Sequence, residues 1–307
     1  MPKMNISRSI TIDAPAEKVF SKLNDLNHWT TWSPWLILEP ETKVTVREDA
    51  KHYEWEGERT GSGQMTITSE KENEELQLDL LFLKPWKSKA KVGFKLKGNG
   101  EATHVTWTME SSMPFFMFFM TKMMEAFVGM DYERGLKLLK DYVEDGKVHS
   151  ALEIEKNGSY PGCTYVGITT DCKIVDLADA MTKDFDRLWE YMGDKKDLIV
   201  GNPISIYHKW KFVKGTAQYT VAVPVNRLPE SLPGGFVSGG IPATTVYSAI
   251  HTGPYEHLGN AWSLMANLQR SKAFKNRKGI HPFEEYLNDP SETDPKSLKT
   301  AVRFAVK

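Results

Sequence analysis

The residues best placed to do chemistry lie in one short run, His281-Pro282-Phe283-Glu284-Glu285-Tyr286-Leu287-Asn288-Asp289-Pro290. It reads as a strand that opens on a proline and ends in an Asn-Asp-Pro turn. Side chains alternate along a strand, so Glu284 and Tyr286 share one face while Phe283 and Glu285 share the other. One carboxylate is thus expected to point inward beside a tyrosine, with Glu285 pointing away. An inward carboxylate is costly unless it is hydrogen-bonded, paired with a cation or kept for work. The ordinary alternative is a surface acid. Metal chemistry is not expected. The eight histidines are scattered without ligand spacing, and Cys163 and Cys172 form no C-x-x-C pair.

The elements that must position Glu284 repeat along the second half. Tyr165–Thr170 reads as a strand, Leu177–Met192 as a helix with Phe185, Leu188 and Trp189, and Pro203–Tyr207 and Gln218–Val225 as strands. The order returns as the strand Thr245–His251, the helix Tyr255–Gln269 with Trp262, the strand Pro282–Tyr286 and the strand Thr300–Val306. Phe185 corresponds to Trp262, Tyr207 to Tyr286, and Ser205 to Glu284. Two βαββ units facing each other across a pseudo-twofold bring both tyrosines to a central groove. The charge is present in one unit only. A single carboxylate among Tyr207, Tyr286, Trp189 and Trp262 suits a pocket for a cation, through ring quadrupoles plus one full charge. The ordinary alternative for each tryptophan is helix core.

The order of His251-Thr252-Gly253-Pro254-Tyr255, Trp262, Phe283-Glu284-Glu285-Tyr286-Leu287-Asn288-Asp289-Pro290 and the Thr300–Val306 strand resembles the GyrI-like, or AraC effector-binding, domain over roughly residues 160–307. That resemblance implies a groove lined by aromatics with a glutamate at its base, here Glu284 beside Tyr286. The ligands it implies are lipophilic compounds, cationic ones among them. Tyr207, Trp262, Trp189, Tyr255 and His251 complete the expected ligand-binding set. It also implies a rival reading. Some stand-alone members resemble hydrolases that open strained rings of reactive natural products, and in that case Glu284 and Tyr286 become catalytic. Other members are sensors joined to a helix-turn-helix. No basic recognition helix occurs here, so regulation would act through a separate DNA-binding partner.

The first half reads differently. Ile6, Arg8, Ile10 and Ile12 alternate along an opening strand, and Asp13-Ala14-Pro15-Ala16-Glu17 starts a helix with Asp13 as its expected cap. Trp29, Trp32 and Trp35 follow, then a run of strands to Met109 and a helix from about Phe116 to Val143. Together with the Ile12–Phe20 stretch, the Trp-rich run, Thr103–Trp107 and Gly135–Lys140, this layout resembles a START-like, SRPBCC-type helix-grip domain over residues 4–145. It implies an apolar cavity between a curved sheet and the last helix; the Phe/Met-rich entry to that helix and the lack of an obvious inward charge make this cavity the larger of the two and suit it to neutral ligands. His104 and Glu54 are its polar candidates for facing the cavity. The apolar run Met113–Met130 contains Lys122 and Glu125 and is shorter than the ~20 residues a membrane span needs. It reads as a buried or cavity-facing helix entry.

The expected chain is therefore α+β, with a START-like domain at 1–146, a linker at 147–160 containing turn signals such as Asn157-Gly158, and a GyrI-like domain at 161–307. The 39 Lys+Arg nearly balance the 40 Asp+Glu, which removes any net basic field toward nucleic acid or membrane. With sparse cysteines and an N-terminus that opens directly into a strand pattern, the expectation is a cytoplasmic small-molecule binder. No cofactor, direct nucleic-acid or membrane partner is expected.

Overall fold

The computed structural model describes residues 3–112 and 115–307. Met113 and Pro114, the start of the apolar run, lie outside the described residues. The chain divides into two compact units, Met1–His149 and Ser150–Lys307.

In the first unit the elements run β1 (Lys3–Ile12), α1 (Ala16–Leu23), α2 (Trp29–Trp32), β2 (Lys43–Val46), β3 (His52–Gly57), β4 (Gly61–Lys71), β5 (Glu75–Lys84), β6 (Ser88–Gly98), β7 (Thr103–Ser112) and α3 (Thr121–Asp145). The strands form one antiparallel sheet in the order β1-β7-β6-β5-β4-β3-β2. The long helix was expected from about Phe116. Residues Phe115–Met120 instead form a 3₁₀ turn, and the α-helix begins at Thr121. It ends at Gly146, whose φ of 74° is the left-handed conformation that glycine adopts freely. Asp13 does not cap α1, whose N-cap is Pro15. The Asp13 carboxylate meets Lys140 on α3 instead.

Aromatic rings fill the space between this sheet and α3. Trp107 stacks on Tyr132 with centroids 3.7 Å apart and lies 5.1 Å from Phe94. Trp29, Trp32 and Trp35 meet Trp107 edge-on. Gly135 makes this approach possible, because a Cβ there would stand 2.7 Å from the Trp107 ring and 3.0 Å from Pro34. Within the apolar run, Phe118 and Phe119 are exposed, while Met124 and Val128 pack on the core.

The second unit comprises β8 (Ala151–Tyr160), β9 (Cys163–Lys173), α4 (Leu177–Met192), β10 (Ile204–Lys211), β11 (Thr216–Val225), β12 (Phe236–Ile241), β13 (Thr244–Thr252), α5 (Leu258–Arg270), β14 (Phe283–Tyr286) and β15 (Lys299–Ala305). Its antiparallel sheet has the order β12-β9-β11-β10-β14-β15-β13-β8. Read from either end, this is the same succession: an added edge strand, then the first, last and middle strands of a βαββ unit. The two units meet at β10 and β14. Tyr207 N–H donates to Pro282 O, and Tyr286 N–H donates to Pro203 O, each at 3.0 Å. Such reciprocal bonds between corresponding residues are the mark of a local twofold. Helix α4 packs on β9 and β11, and α5 on β13 and β15.

The stretch 147–160, read from sequence as linker, differs most from expectation. Residues 151–160 are β8, paired along β13 from Ala151↔Thr252 to Tyr160↔Thr244. Asn157 takes a positive φ of 55° and the register shifts near Gly158, so the Asn-Gly signal marks an irregularity within a strand. Without β8 the whole edge of β13 would stand unpaired. A fragment beginning at Ser150 is therefore expected to melt cooperatively. One beginning at Pro161 is expected to lose stability or aggregate. Thermal melts with light scattering on the two fragments check this.

Candidate functional site

Pairing places the sequence-marked carboxylate at the centre of the twofold. Ser205 on β10 lies directly opposite Glu284 on β14. The alternation along each strand then puts Ser205, Tyr207, Glu284 and Tyr286 on the helix-covered face. Glu285 lies on the opposite face, where its Oε2 accepts from Arg303 Nε at 2.6 Å.

Glu284 is only 3% exposed. Its Oε2 accepts from the Tyr207 hydroxyl at 2.9 Å and the Tyr286 hydroxyl at 2.8 Å. Its Oε1 accepts from Trp262 Nε1 at 2.6 Å. The Tyr286 proton is committed to Glu284, so Ser205 Oγ, 2.9 Å away, donates to the Tyr286 oxygen. The serine that replaces the carboxylate in the first βαββ unit thus supports the carboxylate of the second.

The electrostatics follow from burial. Removal from water raises the Glu284 pKa above the ordinary carboxylate range, and the bonds from Trp262, Tyr286 and Tyr207 oppose that rise. Burial and the neighbouring carboxylate push both tyrosines well above the usual phenol value, so they remain neutral donors. An indole N–H can only donate. The shell is therefore built around an ionised carboxylate although burial disfavours it. Among the described residues, no lysine, arginine or histidine forms an ion pair with Glu284.

Rings enclose this group. Trp262 meets Tyr207 edge-on at 4.8 Å, and Trp210 stacks on Tyr207 at 5.3 Å. Phe185 and Tyr255 meet Tyr286 at 5.6 and 5.5 Å. Met181 Sδ lies 3.6 Å from the Tyr207 hydroxyl. Of the residues expected from sequence, Glu284, Tyr286, Tyr207 and Trp262 are brought together, with Tyr255 beside them.

Two expected residues are elsewhere. Trp189 is 42% exposed, and α4 presents Phe185 to the cluster in its place. One helical turn separates the two residues, and the interior-facing stripe runs through Phe185 and Leu188. His251 is fully buried on β13, where its Nε2 lies 3.0 Å from Ser150 Oγ, a group that also accepts from Asn260. Burial and the nearby His257 depress its pKa to about 4, so it is a neutral ring within the fold. In the first unit, His104 and Glu54 are exposed and approach Thr11 and His52. Neither faces the interior.

Trp210, Met181 and Asp184 were not anticipated. A strict two-residue period puts Trp210 opposite Tyr207, but the register shift between Tyr207 and Lys209 returns it to the same face. Asp184 is buried on α4 and accepts from Tyr219 at 2.8 Å and Thr170 at 2.6 Å. It stands within the stripe Met181-Asp184-Phe185-Leu188, a spacing visible in the sequence. Among the described residues, no group of three or more His, Cys, Asp or Glu side chains could hold a metal ion.

The raised pKa of Glu284 sets a sign for stability against pH. The folded state holds this proton more tightly than the unfolded chain. Its contribution is complete below the unfolded value, about 4.3, and is lost as pH rises through the folded value. Glu284→Gln is expected to remove that slope, so unliganded variant and wild type should differ most near neutral pH. Thermal melts of both proteins across this window measure it.

Residues 3–144 match the family model for polyketide cyclase / dehydrase and lipid transport, and residues 160–307 match that for the GyrI-like small molecule binding domain. Among solved structures, the cryo-EM structure of an EcmrR–DNA complex in EcmrR-RPo is 16% identical with a TM-score of 0.44, covering 62% of this chain and 69% of that one. The crystal structure of the EcmrR C-terminal domain is 17% identical with a TM-score of 0.40, covering 52% and 98%. A START superfamily protein from Mycobacterium smegmatis is 19% identical with a TM-score of 0.34, covering 47% and 99%. No curated protein matches the chain. The chain thus joins a domain of the polyketide cyclase / dehydrase and lipid transport family to a GyrI-like small-molecule-binding domain.

Proposed function

We propose that the GyrI-like domain binds lipophilic organic cations, with Glu284 as the charge that recognises them. One observation carries this reading: a carboxylate 3% exposed, held by three neutral donors, with no cation paired to it among the described residues. Three hydrogen bonds orient the group and offset part of its desolvation, but they leave its negative charge unbalanced. A ligand cation entering against the carboxylate balances it. The faces of Tyr207, Trp210, Trp262 and Tyr255 add quadrupole attraction and apolar contact for the rest of the molecule. The site is nearly closed around Glu284, so binding requires the rings to part. Met181 is the most adaptable neighbour for that movement.

A second reading rests on the Tyr286–Glu284 hydrogen bond and the raised carboxylate pKa. Glu284 would accept a proton from water as the water oxygen bonds to an electrophilic ring carbon. Tyr286 would then deliver a proton to the departing atom of the opened ring and recover one from Glu284. Both readings need the same two residues, and turnover separates them.

Glu284→Gln is expected to weaken a lipophilic cation such as tetraphenylphosphonium by about 1–3 kcal/mol, and a neutral compound of the same shape hardly at all. Wild-type affinity for the cation should also rise with pH through the elevated Glu284 pKa and then level off. Titration calorimetry on matched cationic and neutral compounds reads both effects, and equal losses for the two compounds would remove the charge from the account. In the hydrolytic reading, Glu284→Gln leaves binding of a neutral substrate nearly intact and lowers turnover by roughly 10²–10⁴-fold. Tyr286→Phe then lowers turnover as well.

A further inference from the structure

We infer that His208 and His281 form a proton-sensitive latch on the β10–β14 seam, which acid releases, lowering the occupancy of the Glu284 site. The consequence for occupancy rests on the ligand-binding reading above. The latch itself does not.

The two imidazoles stand where the two strands part. His208 follows Tyr207 on β10, and His281 precedes Pro282 at the entry to β14. Between them runs the bond from Tyr207 N–H to Pro282 O, 3.0 Å long. Their rings meet edge-on with centroids 4.9 Å apart. At the related end of the seam, where Tyr286 N–H donates to Pro203 O, Leu287 and Asn202 hold the same places. The titratable pair therefore belongs to one end only.

His208 also sets the phase of its strand. Toward β11, Tyr207 pairs with Tyr219 and Lys209 with Gln218, which leaves His208 as the extra residue of the bulge. Its Nε2 lies 2.7 Å from Thr220 Oγ1, which in turn lies 2.7 Å from Thr169 Oγ1. The ring thus pins the bulge to β11. That bulge returns Trp210 to the face of Tyr207, where the two rings stack at 5.3 Å in the wall around Glu284. A change at His208 reaches the site through Tyr207 before it and Trp210 two places after it.

Charge decides the direction of the response. His208 is half-buried and His281 exposed. Burial, His281 and Lys209 lower the His208 pKa, and Asp171 on β9 opposes them. Asp171 is already engaged by Gln218 Nε2 at 2.8 Å, and on β11 the ring meets the uncharged Thr220. The fold therefore selects the neutral His208 ring. Its contribution is complete above the unfolded value, about 6.5, and is lost as pH falls through the folded value. This sign is opposite to that of Glu284. Protons on both rings set two positive charges side by side, and the exposed His281 gives way, taking the Tyr207–Pro282 bond with it.

Amide hydrogen exchange on the full, unliganded chain tests the latch. From about pH 7.5 to about pH 5, with intrinsic rates corrected, protection of residues 206–210 is expected to fall about tenfold, within the range for two unit charges at this separation near a protein surface. His281→Gln, at an exposed position, should cancel most of that fall, and His208→Gln should cancel it as well. Protection of β13 and β15 should stay level. An undiminished fall in His281→Gln overturns the inference, and so does an equal fall across β13 and β15, which marks general loosening in acid. The link to the site is read in Glu284→Gln, where the carboxylate no longer titrates. Affinity of that variant for neutral triphenylphosphine oxide should fall by a similar factor on acidification, and adding His281→Gln should hold it level. Affinity that ignores pH in Glu284→Gln overturns the link. If neither tetraphenylphosphonium nor the phosphine oxide binds wild type at any pH, the ligand-binding reading fails, and the exchange result still upholds or overturns the latch.

Discussion

The C-terminal domain depends on one electrostatic constraint. Glu284 is a carboxylate removed from water, and everything near it is arranged to tolerate that charge. Taking such a group out of water costs several kcal/mol even after relaxation. Each hydrogen bond to a charged group returns about 1.5–3 kcal/mol, so the three from Tyr207, Tyr286 and Trp262 offset part of that cost while the carboxyl pKa stays raised. Those donors come from β10, β14 and α5, which meet only when both βαββ units have formed and paired. The shell is therefore a product of the whole domain.

The pseudo-twofold explains how one carboxylate comes to lie at the centre. Two identical halves would put either two acids or none at the β10–β14 seam. Two carboxylates so close could not both ionise. Replacing one by Ser205 leaves a single charge and supplies a donor to Tyr286, which in turn donates to Glu284. The same asymmetry recurs in the helices, where Trp262 brings an N–H to the carboxylate and Phe185 brings only an apolar ring to Tyr286.

The N-terminal domain is organised by packing instead of charge. Phe94, Trp107 and Tyr132 form a stack between sheet and helix, with Trp29, Trp32 and Trp35 set against it edge-on. Offset and edge-on contacts are the arrangements that ring quadrupoles favour. Glu39, a buried acid of this domain, is held by the N–H groups of Arg59 and Thr60, which keep its pKa low despite burial. It is a fixed structural anion, unlike Glu284.

What the sequence determined by itself was whatever local period and order encode. The alternation Phe283-Glu284-Glu285-Tyr286 places the two glutamates on opposite faces, and the returning strand–helix–strand–strand order carries the repeat that pairs Tyr207 with Tyr286. The α+β layout of both halves and the aromatic character of the site were legible for the same reason. Tertiary structure decided the rest, because these features depend on partners distant in the chain. β8 reads as linker since its inward residues are few, and it becomes a strand because β13 offers an unpaired edge. Trp210 joins the site through a bulge that shifts the two-residue phase. Trp189 leaves it because the rotation of α4 on the sheet selects Phe185, and His251 is taken by Ser150 from an adjoining strand end. Side-chain period tells which face a residue occupies, but only long-range pairing tells what that face will meet.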